Sequence, residues 1–534
     1  MKEIKRDASK SADNLIDRAI NAIAPQIGVR RRQARLQLAV SDGLMSGYIG
    51  ARKNRRALKN WAMPAGSADG DTLPDLPILR ERSRDLVRNE PIASGAINTK
   101  VTNVVGGGLI PTPNIDREFL GLSEEEAADW HAAAIREWKL FAQTSDMTGE
   151  GDFYEQQDLA FRSVLEGGDC FAVKRFEEIP GETYGLKIQL VEADRCSNPK
   201  NVADKPGKLA GGVERDARGR AEFYHFTKRH PGDVQDRDAR KWDKIPAFDE
   251  DGGRLVLHLF QRLRIDQSRG VPDLAAVIEP FKQLGRYTEA EITAAVVSAM
   301  FTVFVETEGG QGMAPSAPDG TASSDPNEIK MGAGAVIDLG PNEKVEFANP
   351  SRPNANFDPF TMAVYKHIGV GLNLPADVLL KAFNSSYSAS RAALDTAWQY
   401  FKNRRTWLEK KFCNPPYGWL LDEAIARGRL IAPGYFDDPL IRAAYARVIW
   451  NGPGRIHIDP TKEAKADKMY VDMGVKSLTE VTRERTGADW EERHEERMRE
   501  VKKRRDAGLE VELQPASPAG FLVEEEEKPD EKSD

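Results

Sequence analysis

Residues 273–305 read DLAAVIEPFKQLGRYTEAEITAAVVSAMFTVFV. Across this stretch Phe281, Leu284, Ile292, Ala295 and Ala299 recur at helical spacing, and Val303 continues the same face. The pattern predicts one long helix over 273–300 that runs directly into a β-branched, strand-like stretch at 301–305. Residues 307–327 are Gly, Ser, Pro and Asp with almost no large apolar side chain, which predicts a surface loop. Two strand-like runs follow at 335–339 and 344–347, and helical spacing resumes over 357–370. Two helices thus bracket a small β-rich insert. After a loop at 372–387, residues 388–412 are helical again, with Leu394, Trp398, Phe401, Leu408 and Phe412 facing inward. Pro415-Pro416 is expected to stop that helix.

Upstream, one helical pattern covers 79–105 through Leu86, Ala93, Ile97 and Val101, and halts at Gly106-Gly107-Gly108. Ser123-Glu124-Glu125-Glu126 is a capping box, with serine and glutamate placed to satisfy each other's backbone amides. It opens a helix whose stripe is Ala127, Trp130, Ala134, Trp138 and Phe141. A further helix covers about 153–165 and ends at Gly167-Gly168. From Cys170 to about Ile265 short β-like runs take over, at 171–173, 187–191, 222–227 and 254–260. Residues 461–506 read as one highly charged helix. Asp489–Arg493, Glu495–Arg499 and Glu500–Arg504 form acid-first i,i+4 pairs there, each worth about 0.2–0.5 kcal/mol. The fold class is α+β. At 534 residues the chain is too long for one core, and about 150 residues per domain gives three to four.

The formal net charge of −8 conceals an uneven distribution. Residues 1–60 hold fourteen basic side chains against five acids, while residues 507–534 hold nine acids against two lysines. The body between them is therefore acidic, at −10. An acidic body argues against a protein that reads DNA sequence, which ordinarily presents a basic domain. The tail from 507 has the composition of a disordered segment, and the arm 1–46 is either a solvated helical extension or a segment that orders on assembly. Three widely spaced cysteines, Cys170, Cys196 and Cys413, offer neither a disulfide framework nor a CxxC pair, so folding in a reducing cytosol is expected. No run approaches eighteen apolar residues, and no membrane association is expected.

Catalytic chemistry finds little support. A phosphate-cradling loop needs Gly-x-x-x-x-Gly-Lys-Ser/Thr, yet Gly106-Gly107-Gly108 is followed by Leu-Ile-Pro and Pro206-Gly207-Lys208 by Leu. The seven histidines show no metal-ligand spacing, and no Gly-x-Ser-x-Gly elbow is present. No cofactor and no catalytic residue is expected. His367 reads as an ordinary packing or surface residue.

The order of longer motifs is more specific. Gly47-Tyr48-Ile49-Gly50-Ala51 leads through Trp61 to Leu79-Arg80-Glu81-Arg82-Ser83-Arg84-Asp85-Leu86, then to Arg88-Asn89-Glu90-Pro91 and Asn103-Val104-Val105-Gly106-Gly107-Gly108. Further on come residues 264–272, 367–375 and Asn384-Ser385-Ser386-Tyr387-Ser388-Ala389-Ser390-Arg391. In this order, over roughly residues 40–470, the chain resembles lambda-family phage portal proteins.

That resemblance implies a ring of typically twelve subunits at one capsid vertex, around a channel through which a terminase motor drives double-stranded DNA. It implies a wing at 47–272, stem helices at 273–300 and 350–371, and a clip between them at 301–349. A tunnel loop at 372–387 would follow, then a long helix and return to the wing at 388–460, and a crown at 461–506. Expected partners are further copies of the chain, the terminase large subunit, major capsid and scaffold proteins, head-completion or tail adaptor proteins, and DNA bound without sequence preference. The expected location is the virion. Lys381, Asn384, Ser385, Ser386 and Tyr387 on the loop can meet phosphates without reading bases, or the serines can simply cap the next helix. Lys282, Arg286 and Lys366 on the stem helices face either the channel or a neighbouring subunit. An acidic body either lets DNA slide rather than stick or keeps the assembly soluble. The alternatives are a DNA-associated head or adaptor protein that forms no ring and, further off, a nuclease or other packaging enzyme.

Overall fold

The computed structural model describes residues 65–233, 235–299, 303–307, 343–347, 356–383, 386–455 and 460–509, with scattered single positions before residue 65. The arm at 1–46, the loop at 307–327 beyond its first residue, the strand-like run at 335–339 and the acidic tail from 510 lie outside the described residues. The chain divides into two units, Met1–Ser67 and Ala68–Asp534, and every element below belongs to the second.

Helices lead. The predicted capping box is formed: the Glu126 amide donates to the Ser123 hydroxyl, and the Glu126 carboxylate accepts from the Ser123 amide. It opens the helix Glu124–Ala142, whose buried residues include the whole expected stripe. Trp138 sits at the centre of an aromatic cluster, 4.9 Å edge-on from Phe153 and 5.4 Å from Trp450. Phe153, at the start of the helix Phe153–Gly167, stacks in turn on Phe412. Residues far apart in sequence therefore share one core.

The single helix expected over 79–105 is two, Leu76–Asn89 and Pro91–Val104. Proline disfavours the helical region for the residue before it, and Glu90 is extended at φ −112° and ψ 110°. Conversely, the helix expected to stop at Pro415-Pro416 does not stop. Tyr387–Leu408 passes through a π-turn, Glu409–Cys413, into the helix Asn414–Ala426. A wider i→i+5 turn accommodates prolines that lack an N–H and would otherwise collide with the preceding carbonyls. The 461–506 helix is also subdivided, into Pro460–Asp472, Leu478–Thr486 and Trp490–Asp506. Gly474 and Gly487, each at φ 70°, make the breaks. On the last of these, Asp489 caps the helix and Arg493 pairs with Glu496.

Two antiparallel sheets form the β part. One has the order Leu186–Glu192, Asp169–Phe176, Val256–Phe260; the other runs Leu209–Ala210, Val213–Arg215, Ala221–Thr227, Trp242–Pro246. Phe171, Val173, Val191, Cys196, Val213, Tyr224 and Phe226 pack between them as a second core. A separate ribbon pairs Ile110–Pro113 with Val448–Asn451, tying the end of the chain's mixed region back to its beginning. Cys170, Cys196 and Cys413 are buried and free.

The long helix is Ile278–Ala299, preceded by a 3-10 turn at Ala275–Val277. Beyond it Val303–Thr307 pairs antiparallel with Glu343–Phe347, and the helix Phe357–Gly371 returns. The two helices meet through Tyr287, whose ring stacks on Phe357 at 5.6 Å and meets Phe360 edge-on at 4.9 Å.

Candidate nucleic-acid interface

The segment between helices Phe357–Gly371 and Tyr387–Leu408 is not one open loop. Its first half folds back on the core: Leu372, Leu374, Val378 and Leu379 are buried, and a one-turn helix Ala376–Leu379 lies within it. The Leu374 amide donates to the Gly369 carbonyl and the Ala382 amide to the Asp377 carbonyl. Gly369 is required at this bend, because a Cβ there would lie 2.5 Å from the Leu374 carbonyl oxygen. Beyond it Lys381, Phe383, Ser386 and Tyr387 are exposed.

Within 381–387, Lys381 is exposed and held at φ 55°. Phe383, which no sequence signal singles out, is 48% exposed. Asn384 and Ser385 lie outside the described residues. Ser386 serves as helix N-cap, its hydroxyl accepting from the Ala389 amide at 3.4 Å. Tyr387 lies under the Lys462 ammonium, 5.4 Å from the ring centroid. Of the predicted loop residues, Ser386 is therefore engaged in capping, and Lys381 is the cation left facing solvent.

On the helices Ile278–Ala299 and Phe357–Gly371, Lys282, Arg286 and Lys366 are exposed, and none of them forms an ion pair among the described residues. Lys282 and Arg286 lie one turn apart on the same helix. Lys366 borders a groove of about 370 Å³ with Val370, Pro375, Thr396 and Tyr400. Among the described residues no hydrogen bond or ion pair joins these three cations to the 381–387 segment. His367 is an exposed surface residue.

What orients the long helix is a buried clasp that no sequence spacing announces. Asp169 opens the central strand and is fully buried. It accepts from Arg269 Nε at 2.6 Å and Nη2 at 3.0 Å, from Arg80 Nη2 at 3.0 Å and from the Gly270 amide at 3.1 Å. His258 Nε2 lies 3.2 Å from the same carboxylate, its ring stacked on Phe171. Arg269 also donates to the carbonyls of Ala193, Cys196 and Gly211. Every donor nitrogen of that guanidinium thus has an acceptor, which is what a buried charge requires.

Burial alone would raise the Asp169 pKa, but the charges of Arg269 and Arg80 outweigh it and hold the carboxyl well below the usual range. For His258 burial wins over the neighbouring carboxylate, and its pKa is pushed down to about 4. The ring is therefore neutral near pH 7 and donates Nε2–H to Asp169.

The clasp fixes the chain just before the long helix. Gly270 passes so close to Gly168 that a Cβ would lie 1.9 Å from the Gly168 carbonyl oxygen. Three residues later Asp273 binds the fully buried Lys100, whose ammonium also lies over the Tyr400 ring at 4.9 Å. Arg80 and Arg269 both fall in motifs that carry the resemblance, so the motifs contain the clasp although their spacing does not reveal it.

Among the described residues one group has metal-binding composition. Ligand atoms of Glu192, Asp194 and His230 lie within 4.8 Å of one another. However, Arg84 pairs with both carboxylates. The Gly232 amide donates to His230 Nδ1, which leaves the neutral ring's proton on Nε2, towards Glu192. The group is built as an ion-pair cluster.

The described residues thus form a mixed α/β body clasped to a long helix, with a strand pair and a second helix beyond it. Residues 54–405 match the family described as phage portal protein, lambda family, and the chain belongs to that family. It is 25% identical over 476 residues to portal protein B of Escherichia phage lambda, covering 85% of this chain and 88% of that protein. It is equally 25% identical over 483 residues to the portal protein of Escherichia phage N15, covering 85% and 89%. Among solved structures it is similar to a chain in the neck of a native gene transfer agent (GTA) particle computed with C12 symmetry. That likeness has a TM-score of 0.41 and 11% identity, over 75% of this chain and 92% of the other. A second similarity, to a chain in the virion of a native GTA particle, has a TM-score of 0.42 and 12% identity, covering 76% and 92%.

Proposed function

We propose that the chain is one of twelve subunits in a ring at a capsid vertex, through which double-stranded DNA enters the head and later leaves towards the tail. Membership in the lambda-family portal proteins carries this reading. In it the helices Ile278–Ala299 and Phe357–Gly371 are the stem, and the strands Val303–Thr307 and Glu343–Phe347 belong to the clip, which meets the terminase large subunit and afterwards adaptor proteins. The mixed α/β region with its returning ribbon is the wing, the helices from Pro460 to Asp506 are the crown, and scaffold and major capsid proteins surround the rim.

Two features of the isolated subunit support assembly. Ile292 and Val296 on the first stem helix are 59% and 51% exposed, and Val370 on the second is 80% exposed, an apolar surface that a neighbouring copy would cover. The stem cations Lys282, Arg286 and Lys366 pair with no acid among the described residues, which leaves them for a neighbour or for DNA. In this reading the loop 372–387 forms the channel constriction, with Lys381 as its phosphate contact. The role is structural, without catalysis by the chain itself. Negative-stain images of the purified protein should show rings with a central hole; particles without a hole, alone or with the other head proteins, would contradict the reading.

A further inference from the structure

A basic recess lies away from the stem, in the mixed α/β region. It has a volume of about 350 Å³ and is walled by the strands Val213–Arg215, Ala221–Thr227 and Val256–Phe260 and by the π-turn Glu409–Cys413. Six cations line it: Arg215, Arg220, Arg254, Arg262, Lys410 and Lys411. No carboxylate is among its lining residues. In a body of net charge −10 such a concentration is far from what chance mixing gives.

Three of the six, Arg215, Arg220 and Arg254, are positioned without acids. Arg220 and Arg254 lie over the Phe248 ring, 3.6 and 5.0 Å from its centroid. Arg215 donates to the Gly219 carbonyl at 2.7 Å and to the Ser268 hydroxyl at 3.3 Å. None of the six makes an ion pair among the described residues. Glu409 is influenced by Lys410 but does not pair with it, and the Asp216 carboxylate is taken up by the amides of Arg218 and Arg220. Like charges gathered this closely repel one another, and an anion relieves that repulsion.

The concave form selects the anion. A duplex about 20 Å across presents its phosphates on a convex surface and reaches only the rim, whereas a single extended strand can enter. The chain itself carries an acidic run. Residues 524–534 hold Glu524, Glu525, Glu526, Glu527, Asp530, Glu531 and Asp534 against Lys528 and Lys532. The fourteen residues between Leu509 and Glu524 span at most about 50 Å. A tethered segment also acts at an effective concentration in the millimolar range. The acidic remainder of the body repels it, and the recess offers six cations gathered in one concavity.

We propose that the recess is the docking site of the chain's own acidic segment 524–531, from the same subunit or an adjacent copy. Docking neutralises the cluster and keeps other polyanions out of it.

Zero-length carbodiimide cross-linking of the full chain tests this, since it joins a lysine ammonium directly to a carboxylate in contact with it. Lys410 and Lys411 should couple to Glu524–Glu527 at least tenfold more often than the exposed lysines Lys139, Lys402 and Lys465 do. That preference should vanish in 0.5 M salt, in the full chain carrying R220Q and R262Q, and in the full chain carrying E524Q, E525Q, E526Q and E527Q. An even spread of cross-links over all exposed lysines, or a preference insensitive to R220Q and R262Q, would overturn the proposal. So would short duplex DNA binding that depends on Arg220 and Arg262 yet ignores neutralisation of the four glutamates, which would assign the recess to nucleic acid.

Discussion

Arg269 grips Asp169 with two nitrogens, Nε at 2.6 Å and Nη2 at 3.0 Å, in a place that water does not reach. One hundred residues separate the two in sequence. The pair joins the start of the central strand to the segment that leads into the helix Ile278–Ala299, so the orientation of that helix depends on it. Removing one partner of a buried, hydrogen-bonded ion pair costs about 3–5 kcal/mol, and Arg80, which stays beside Asp169, keeps the loss of Arg269 near the lower end of that range. Arg269→Met should lower unfolding free energy by that amount in denaturant titration. A decrease of less than about 1 kcal/mol would show that the clasp is not what fixes the segment.

The same clasp gives the stability a pH dependence. An unfolded histidine titrates near 6.5 and folded His258 near 4, so between these values the unfolded state binds more protons. Stability then falls as pH drops from about 6.5 to 4, by roughly 3 kcal/mol in total. The depressed Asp169 carboxyl adds its own loss only below about pH 4, as protonation approaches its folded pKa. His258→Gln keeps an N–H donor towards Asp169 but cannot titrate. Its Tm should be flatter than the parent's across pH 4–6.5; parallel Tm curves would remove His258 as the origin.

Two glycines make a contrasting pair. Gly270→Ala drives a Cβ against the Gly168 carbonyl oxygen, where backbone on both sides must move, and should cost about 1–3 kcal/mol or more. Gly95 sits inside the helix Pro91–Val104 with open space around a prospective Cβ, and Gly95→Ala should gain about 0.5–1 kcal/mol. Thermal denaturation of the two variants should therefore move in opposite directions.

Lys381 is exposed, and the proposed function makes it a phosphate contact. Lys381→Gln should leave assembly unchanged and reduce the dependence of DNA affinity on salt. The log–log slope should shrink by about 0.9 for each phosphate that is no longer neutralised. An unchanged slope would place Lys381 away from DNA. Substituting Ser386 tests the other reading of this segment: Ser386→Ala removes a helix cap and should cost about 0.5–2 kcal/mol of stability without changing the slope.

Much of the helical framework is legible in the sequence because its signals are local. Ser123 and Glu126 announce their helix three residues apart, and the stripe from Ala127 to Phe141 announces its buried face. What escapes depends on distant partners. Residues 209–210, 213–215 and 242–246 are short and gain strand character from pairing across the sheet. Proline misleads in both directions: Pro91 breaks a pattern that looks continuous, whereas Pro415 and Pro416 are accommodated because Phe412 and Cys413 are buried within a widened turn. The loop at 372–387 looks uniform in sequence, yet Leu372, Leu374, Val378 and Leu379 bury half of it. The clasp is legible only through motif order, since nothing near Asp169 names Arg80 or Arg269 as its partners.

As a ring subunit, this chain would have its exposed stem face and unpaired stem cations completed by neighbouring copies. The mass of the purified assembly in solution tests that most directly. A discrete species at about twelve times 59.3 kDa is expected, collapsing towards smaller forms when Ile292 and Val296 are both replaced by Glu. A single species at 59.3 kDa that stays monomeric in the presence of the other head proteins would contradict it.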